Sequence, residues 1–374
     1  MKRGHIHELN VTRALAIIAV LLIHSTSSTV TNLDSDSNFF LFYVVLNIAS
    51  KFAVPAFIFL SGLVLFYNYM NKAMTKETIL TFYRKRLAQI AVPYLFFSVF
   101  YYMITSYMIS GSAKTAIMSI FTIEFLNRLL IGKAYTHLYF IFIMIQFYIM
   151  LPFILILLKK VPRLSRHLIW IGFVIQWIFI YVNATYWQYP YKGSISLSYM
   201  FFFLTGAFIG IYYEKCIQFL KLTKQSIHMW VIGLWGLWIA ATAYNIYLYY
   251  YVFADQIYLT NSKIYELVWE IQSITASIIL LQVSYWIYHT WNKRMVHSLD
   301  MLGILSFGVF LFHPFLLLIY RKIDVGGNIL MFHVWSLGGF VFSLVVSWIV
   351  VYIAGRYFKY HWIAFGPIPV KPKK

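Results

Sequence analysis

Ten stretches of this chain are apolar over lengths near that needed to cross a bilayer as a helix, which is about 20 residues. They lie near Leu9–Thr29, Leu41–Tyr69, Ile90–Ile109, Leu138–Leu158, Leu168–Asn183, Leu197–Tyr213, Met229–Tyr251, Tyr265–Trp286, Met301–Tyr320 and Val334–Phe358. Lipid offers no water to satisfy backbone N–H and C=O groups, so a spanning segment must satisfy them itself. The expectation is an all-α polytopic membrane protein with about ten transmembrane helices. Only 11% of the residues are charged and 61% are hydrophobic, whereas a soluble domain carries about 25% charged residues. A single membrane-embedded domain over residues 1–374 is expected, with no separate soluble domain. The segment from Leu41 is longer than a bilayer needs. Pro55 inside it predicts a bend or a re-entrant part.

The net charge is +19, which invites a nucleic-acid reading that its distribution excludes. With the N-terminus inside, 21 of the 30 Lys and Arg fall at inner ends, 7 in outer loops, and Arg13 and Lys51 within spans. Lys and Arg concentrate on the cytoplasmic side of membrane proteins. Both termini are therefore expected in the cytoplasm. Lys2 and Arg3 before an apolar run imitate a secretory signal. Arg13 interrupts that run and no small-x-small cleavage site lies near His24–Thr29, so it reads as a retained span. The single Cys216 leaves no disulfide within the chain and no cysteine cluster. No pair of His at i, i+4 joins a carboxylate, so no metal site is expected.

Arg13 and His24 interrupt the first apolar segment. A charged group at membrane depth costs roughly 2.5–3.5 kcal/mol on insertion scales, so it usually has a task and a partner. Eleven residues are close to three turns of about 3.6 residues, which puts both side chains on one face, roughly 16 Å apart in depth. A neutral imidazole accepts a proton from a hydroxyl as a general base. An arginine stays charged and suits a phosphate or a developing oxyanion. The plainer alternatives are a packing histidine and an Arg13–Glu8 ion pair.

Other positions carry weaker signals. Ser61 and Gly62, in Phe57-Ile58-Phe59-Leu60-Ser61-Gly62, serve either close helix packing or a bend that presents a hydroxyl. The stretch Phe82-Tyr83-Arg84-Lys85-Arg86-Leu87-Ala88-Gln89 suits an anionic cytoplasmic ligand, or lipid headgroups and topology alone. Glu266 and Glu270 share a helix face near an outer entry, where they would position a sugar or pair with Arg128 or Lys133. Glu124 and Arg128, also four apart, predict a helix ion pair. His313 precedes Pro314, whose ring frees a carbonyl, and reads as a structural histidine. Lys51 is expected to snorkel outward or meet a carboxylate.

Taken in order, these motifs resemble the acyltransferase-3 family of integral-membrane acyltransferases. They are Arg-x10-His in the first span, Phe-x-x-x-Ser-Gly in the second and a basic turn before the Pro93-Tyr94 span. Two more follow: Tyr135-Thr136-His137-Leu138-Tyr139-Phe140, similar to the family's His-Leu-Trp-Phe, and Leu305-Ser306-Phe307-Gly308-Val309-Phe310-Leu311-Phe312-His313-Pro314, similar to its late His-Pro span. The resemblance covers nearly the whole chain. The family's Arg-x-x-Arg aligns on Arg86 to Gln89, so its second Arg is absent and Arg84 or Lys85 stands as the alternative. A similar loosening is seen in the branch resembling the O-succinyltransferase of exported poly-N-acetylglucosamine.

The resemblance implies transfer of an acetyl or succinyl group from cytoplasmic acyl-CoA to a hydroxyl of an extracytoplasmic glycan. It implies His24 as the essential catalytic residue and Arg13 against the donor or acyl carbonyl. Arg84 and Arg86 would hold CoA phosphates. Apart from the resemblance, Ser61 is expected to meet the donor, and Glu270, Glu266 and His137 the acceptor. No metal and no nucleic acid are implied. The expected location is a bacterial plasma membrane, with glycan synthesis or export proteins as possible partners. No appended extracytoplasmic hydrolase-like domain is expected. The competing class is a polysaccharide export or transporter subunit. That reading predicts inverted repeats, and no internal repeat is evident.

Overall fold

The computed structural model describes residue 4 and residues 6–221, 229–323 and 328–369. Lys2, Arg3, Lys224, Lys371, Lys373 and Lys374 of the charge bias lie outside the described residues. The helices are α1 (Glu8–Asn32), α2 (Phe40–Ala49), α3 (Ala53–Tyr69), α4 (Lys76–Phe82), α5 (Ala88–Ser110), α6 (Ala113–Ser119), α7 (Ile123–Leu130) and α8 (Tyr139–Lys160). They continue as α9 (Leu168–Val182), α10 (Met200–Ile211), α11 (Tyr213–Leu220), α12 (Met229–Ala254), α13 (Ser262–Thr290), α14 (Lys293–Tyr320), α15 (Ile329–Tyr357) and α16 (Trp362–Phe365). No strand occurs among the described residues.

Nine helical segments among the described residues are long and apolar enough to cross a membrane, and a bent pair makes up to ten. The chain is an all-α polytopic membrane protein, as its apolar segments predict. The sixth segment, expected at Leu197–Tyr213, is Ser196–Ile211. Ser196–Ile211 is followed after a 101° bend by Tyr213–Leu220. The reason is compositional: α11 exposes Glu214, Lys215 and Gln218 and buries Tyr213 and Leu220, so it is amphipathic and does not extend the apolar run. Several helix starts coincide with polar residues between the apolar runs. Thr122 accepts from the Phe125 N–H at 3.2 Å, Asn261 from Lys263 at 2.9 Å and Asn292 from Arg294 at 2.8 Å. Each satisfies a donor the helix leaves unpaired.

The long second segment breaks between Ala49 and Ala53. The break therefore precedes Pro55, which sits in the first turn of α3, where its missing N–H costs nothing. The three intervening residues close tighter turns, with the Lys51 N–H on Ile48 O and the Ala53 N–H on Ser50 O, both at 3.1 Å.

By packing, the chain divides into two compact units, Ile58–Tyr213 with Ile353–Lys374, and Lys2–Phe57 with Glu214–Tyr352. In the first, α9 packs on α10, and α5 packs on α6, α7, α8 and α16. There α3 crosses α10 at backbone contact. A Cβ on Gly62 would lie 2.1 Å from Phe203 O, on Gly206 1.9 Å from Phe59 O, and on Gly210 2.3 Å from Leu63 O. Lipid tails are as apolar as leucine, so helices in a bilayer associate through such close packing. Gly62 thus takes the packing role among its two expected ones.

In the second unit, α1 packs on α2, α13 and α14, and α12 lies against α2 and α13. Asn10 meets Gly303, and further along both helices His24 meets His313, so α1 and α14 run parallel. Helix α13 runs the other way, with His289 near its end 3.7 Å from Glu8.

Candidate active site

Helix α1 carries the polar stripe through the second unit. At its start the Arg13 Nη1 donates to Asn10 Oδ1 at 2.7 Å, and Asn10 Nδ2 donates to Asp300 Oδ1 of α14 at 2.9 Å. The arginine cation is thereby tied to a carboxylate through an amide. A guanidinium at such depth needs that kind of support. Three turns on, the His24 ring stands 5.1 Å from the His313 ring of α14, tilted 56°. Arg321, just past the end of α14, donates through Nη2 to the His24 backbone carbonyl. Asn47 of α2 donates to Ile23 O at 3.2 Å and to Thr26 Oγ1 at 3.0 Å. Arg321 and Asn47 thus hold the turn that bears His24 from two sides.

The cause of this closeness is Gly303. A Cβ there would lie 1.8 Å from Asn10 O, so only glycine lets the two backbones meet. His313 itself is fully buried, and its Nδ1 lies 3.0 Å from Val309 O. A carbonyl only accepts, so Nδ1 carries the proton. The local bond expected of a structural histidine is present, and the His24 contact comes in addition to it.

Glu270 is buried on α13 and Glu266 is half-buried one turn before it. Arg128 pairs with Glu124 at 2.8 Å, as their spacing predicts. In the first unit, Ser61 lies beside the α3–α10 crossing. Arg84 and Arg86 lie on a π-turn, Tyr83–Leu87, that joins α4 to α5. Such one-turn π segments are frequent at functional sites. Arg86 is half-buried, and its Nε is buried without an acceptor among the described residues. His137 is buried just before α8, edge-on to Tyr101 at 5.1 Å and Tyr135 at 5.7 Å, which stack on each other at 4.3 Å.

The model of the acyltransferase-3 family, described as an acyltransferase domain, matches residues 6–352. The chain belongs to this family. The match runs through both packing units. Among curated relatives, a Staphylococcus aureus (strain MSSA476) protein named "Probable poly-beta-1,6-N-acetyl-D-glucosamine export protein" is 27% identical over 328 residues, covering 83% of this chain and 82% of its own. A Staphylococcus epidermidis protein of the same name is 26% identical over 330 residues, covering 85% of this chain and 82% of its own. No solved structure matches the chain. With this family, these relatives and its apolar helices, the acyltransferase is a multi-pass protein of the bacterial plasma membrane.

Several polar residues of this acyltransferase escaped the sequence reading. At the break of the second segment, Gln272 Nε2 donates to Ile48 O at 2.9 Å and Trp269 Nε1 to Lys51 O at 3.3 Å. Gln272 also accepts from Asn245 Nδ2, within a fully buried pair. Irregular backbone at membrane depth requires such partners. Lys51 places its ammonium 3.3 Å from the centre of the Tyr249 ring. An aromatic face takes the place of the expected carboxylate or interface. Gln272, Asn245 and Asn47 are polar residues inside apolar segments, and that was their signal. Arg321 carried none, because it looked like an ordinary loop cation.

Proposed function

We propose that this acyltransferase moves an acetyl or succinyl group from cytoplasmic acyl-CoA to a hydroxyl of an extracytoplasmic glycan. His24 is its general base. The observation that carries the reading is an intramembrane histidine whose turn is fixed by α2 and α14 while its ring meets only part of that frame. The acceptor hydroxyl gives its proton to His24 as its oxygen bonds to the acyl carbonyl carbon. Collapse of the tetrahedral intermediate breaks the carbon–sulfur bond, and the proton passes from His24 to the departing CoA thiolate. Positioned proton transfer of this kind contributes about 10²–10⁴-fold. Arg13, kept cationic beside Asn10 and Asp300, supports negative charge on the donor.

The residues present fit a phosphate-bearing donor. Arg84, Lys85 and Arg86 project from one π-turn, and Arg86 Nε is a buried donor with no acceptor among the described residues. Phosphate oxygens would supply that acceptor. Ser61 is assigned to the donor, and Glu266, Glu270 and His137 to the acceptor. With both termini cytoplasmic, the Arg13 end of α1 faces the donor side and the His24 end the acceptor side. The relatives' printed name favours poly-β-1,6-N-acetylglucosamine as the acceptor class. The same name supports a second reading, in which the protein exports the polymer without acyl transfer.

Reconstituted protein separates the two. Proteoliposomes given acetyl-CoA or succinyl-CoA and a β-1,6-linked N-acetylglucosamine oligosaccharide should release CoA and yield an acyl-ester mass. His24→Ala should abolish both, and Arg86→Ala should raise KM for the donor. Oligosaccharide flux with no CoA release would overturn the enzyme reading.

A further inference from the structure

The geometry points to His313 as the positioning residue that holds the His24 imidazole in its working tautomer. This inference rests on His24 being the base. A base of this kind needs one ring nitrogen open to the substrate and the other held as an N–H donor by a fixed acceptor. His313 has the features of that acceptor. Its Nδ1–H is committed to Val309 O at 3.0 Å within its own helix. In the neutral ring the other nitrogen, Nε2, is then an acceptor.

Its ring is fully buried and stands 5.1 Å, centre to centre, from that of His24. No hydrogen bond joins the two rings in the structure. A turn of the His24 ring across that gap would bring a nitrogen within the hydrogen-bond range of about 2.7–3.2 Å of His313 Nε2. The remaining contacts fix where the rings stand. Gly303 sets the approach of α14 to α1, and Arg321, just past the end of α14, grips the His24 carbonyl. Helix α14 and the residue just past it therefore set both the backbone and the ring of His24. Asn47 of α2 and the Arg13–Asn10–Asp300 chain are the other polar groups placed on α1 from its neighbours.

His24 bound to Nε2 of His313 through its N–H presents a lone pair on its other nitrogen. When that nitrogen takes the acceptor's proton, the charged ring still donates to His313. His313 stays neutral throughout, as an orienting group should.

The test compares H313F, which fills the space without an acceptor, with H313Q, which restores an acceptor oxygen. Both are assayed with acetyl-CoA or succinyl-CoA and the β-1,6-linked oligosaccharide, and folding is followed by thermal unfolding in detergent. H313F should lose about 10–100-fold in kcat, the usual effect of removing an orienting partner, with both KM values unchanged. H313Q should recover most of kcat. H313L replaces H313F should the latter not fold. Wild-type kcat in H313F or H313L overturns the inference. So does an equal loss of kcat in H313Q, which would mark packing alone. H24A is run alongside. An active H24A overturns the assignment of His24 itself, whereas an inactive H24A beside a fully active H313F overturns only the role of His313.

Discussion

Two helix crossings in this protein are closed by the same device and carry different cargo. Helices α3 and α10 meet through Gly62, Gly206 and Gly210, with Cβ positions 1.9–2.3 Å from opposing carbonyls. Helices α1 and α14 meet through Gly303, 1.8 Å from Asn10 O. The α3–α10 crossing is lined by Phe59, Leu63, Phe66, Phe203 and Ala207, all buried and apolar. The α1–α14 crossing is bounded by the Arg13–Asn10–Asp300 chain at one end and by His24, His313 and Arg321 at the other. Glycine sets how near two backbones come. The side chains one to three turns away decide whether that nearness does chemistry or only holds the bundle.

The largest expected effect falls at the end of the polar crossing. His24→Ala should lower acyl transfer by about 10²–10⁴-fold, the range for a lost general base, with thermal unfolding unchanged. An activity close to wild type would erase the functional half of the contrast. Next come the glycines. Gly303→Ala and Gly206→Ala each force a methyl against a carbonyl and should cost about 1–3 kcal/mol or more, read as a lowered unfolding temperature in detergent. They should then diverge. Gly303→Ala also lowers kcat per folded molecule, because displacement near a catalytic group can cost about 10²-fold. Gly206→Ala should leave the kcat of its folded fraction intact. Equal kcat losses in the two would mean the crossings are not functionally distinct.

A smaller effect is expected at the break of the second segment. Gln272→Leu removes the donor to Ile48 O, and intramembrane side-chain hydrogen bonds contribute about 0.6–1.7 kcal/mol. Urea or thermal unfolding in detergent measures it, and a gain in stability would show that the break does not depend on that bond. The smallest change is Gly233→Ala. A Cβ there meets nothing within 4 Å. The variant should be stabilised by up to about 1 kcal/mol, from helix propensity alone. A loss as large as that of Gly303→Ala would refute the steric account of both crossings.

Much of this architecture was legible before any coordinates. Apolar runs near bilayer length marked most of the helical segments within a few residues, because in lipid the backbone has few alternatives. Helix α14, however, begins at Lys293, eight residues before the expected Met301. Spacing along one helix was equally informative. It paired Glu124 with Arg128 and put Arg13 and His24 on one face. Those contacts are local, and the 3.6-residue period determines them. The position of the break was misread because Pro55 was the visible breaker, whereas Pro55 is harmless in a first turn. The break depends on Gln272 and Trp269, more than 200 residues away in sequence.

The sequence by itself determined that this is a helical membrane protein, which residues interrupt its spans, and which of them share a helix face. Hydrophobicity and helical period suffice for that, since each depends only on near neighbours in the chain. Only the tertiary structure decided that α14 is the helix that frames His24, that Arg13 is tied to Asp300 through Asn10, and that Lys51 rests on Tyr249. Those pairings depend on which helices lie side by side. In a bilayer, where any two apolar faces are nearly equivalent, that choice is made by glycine fit and buried hydrogen bonds across the whole fold.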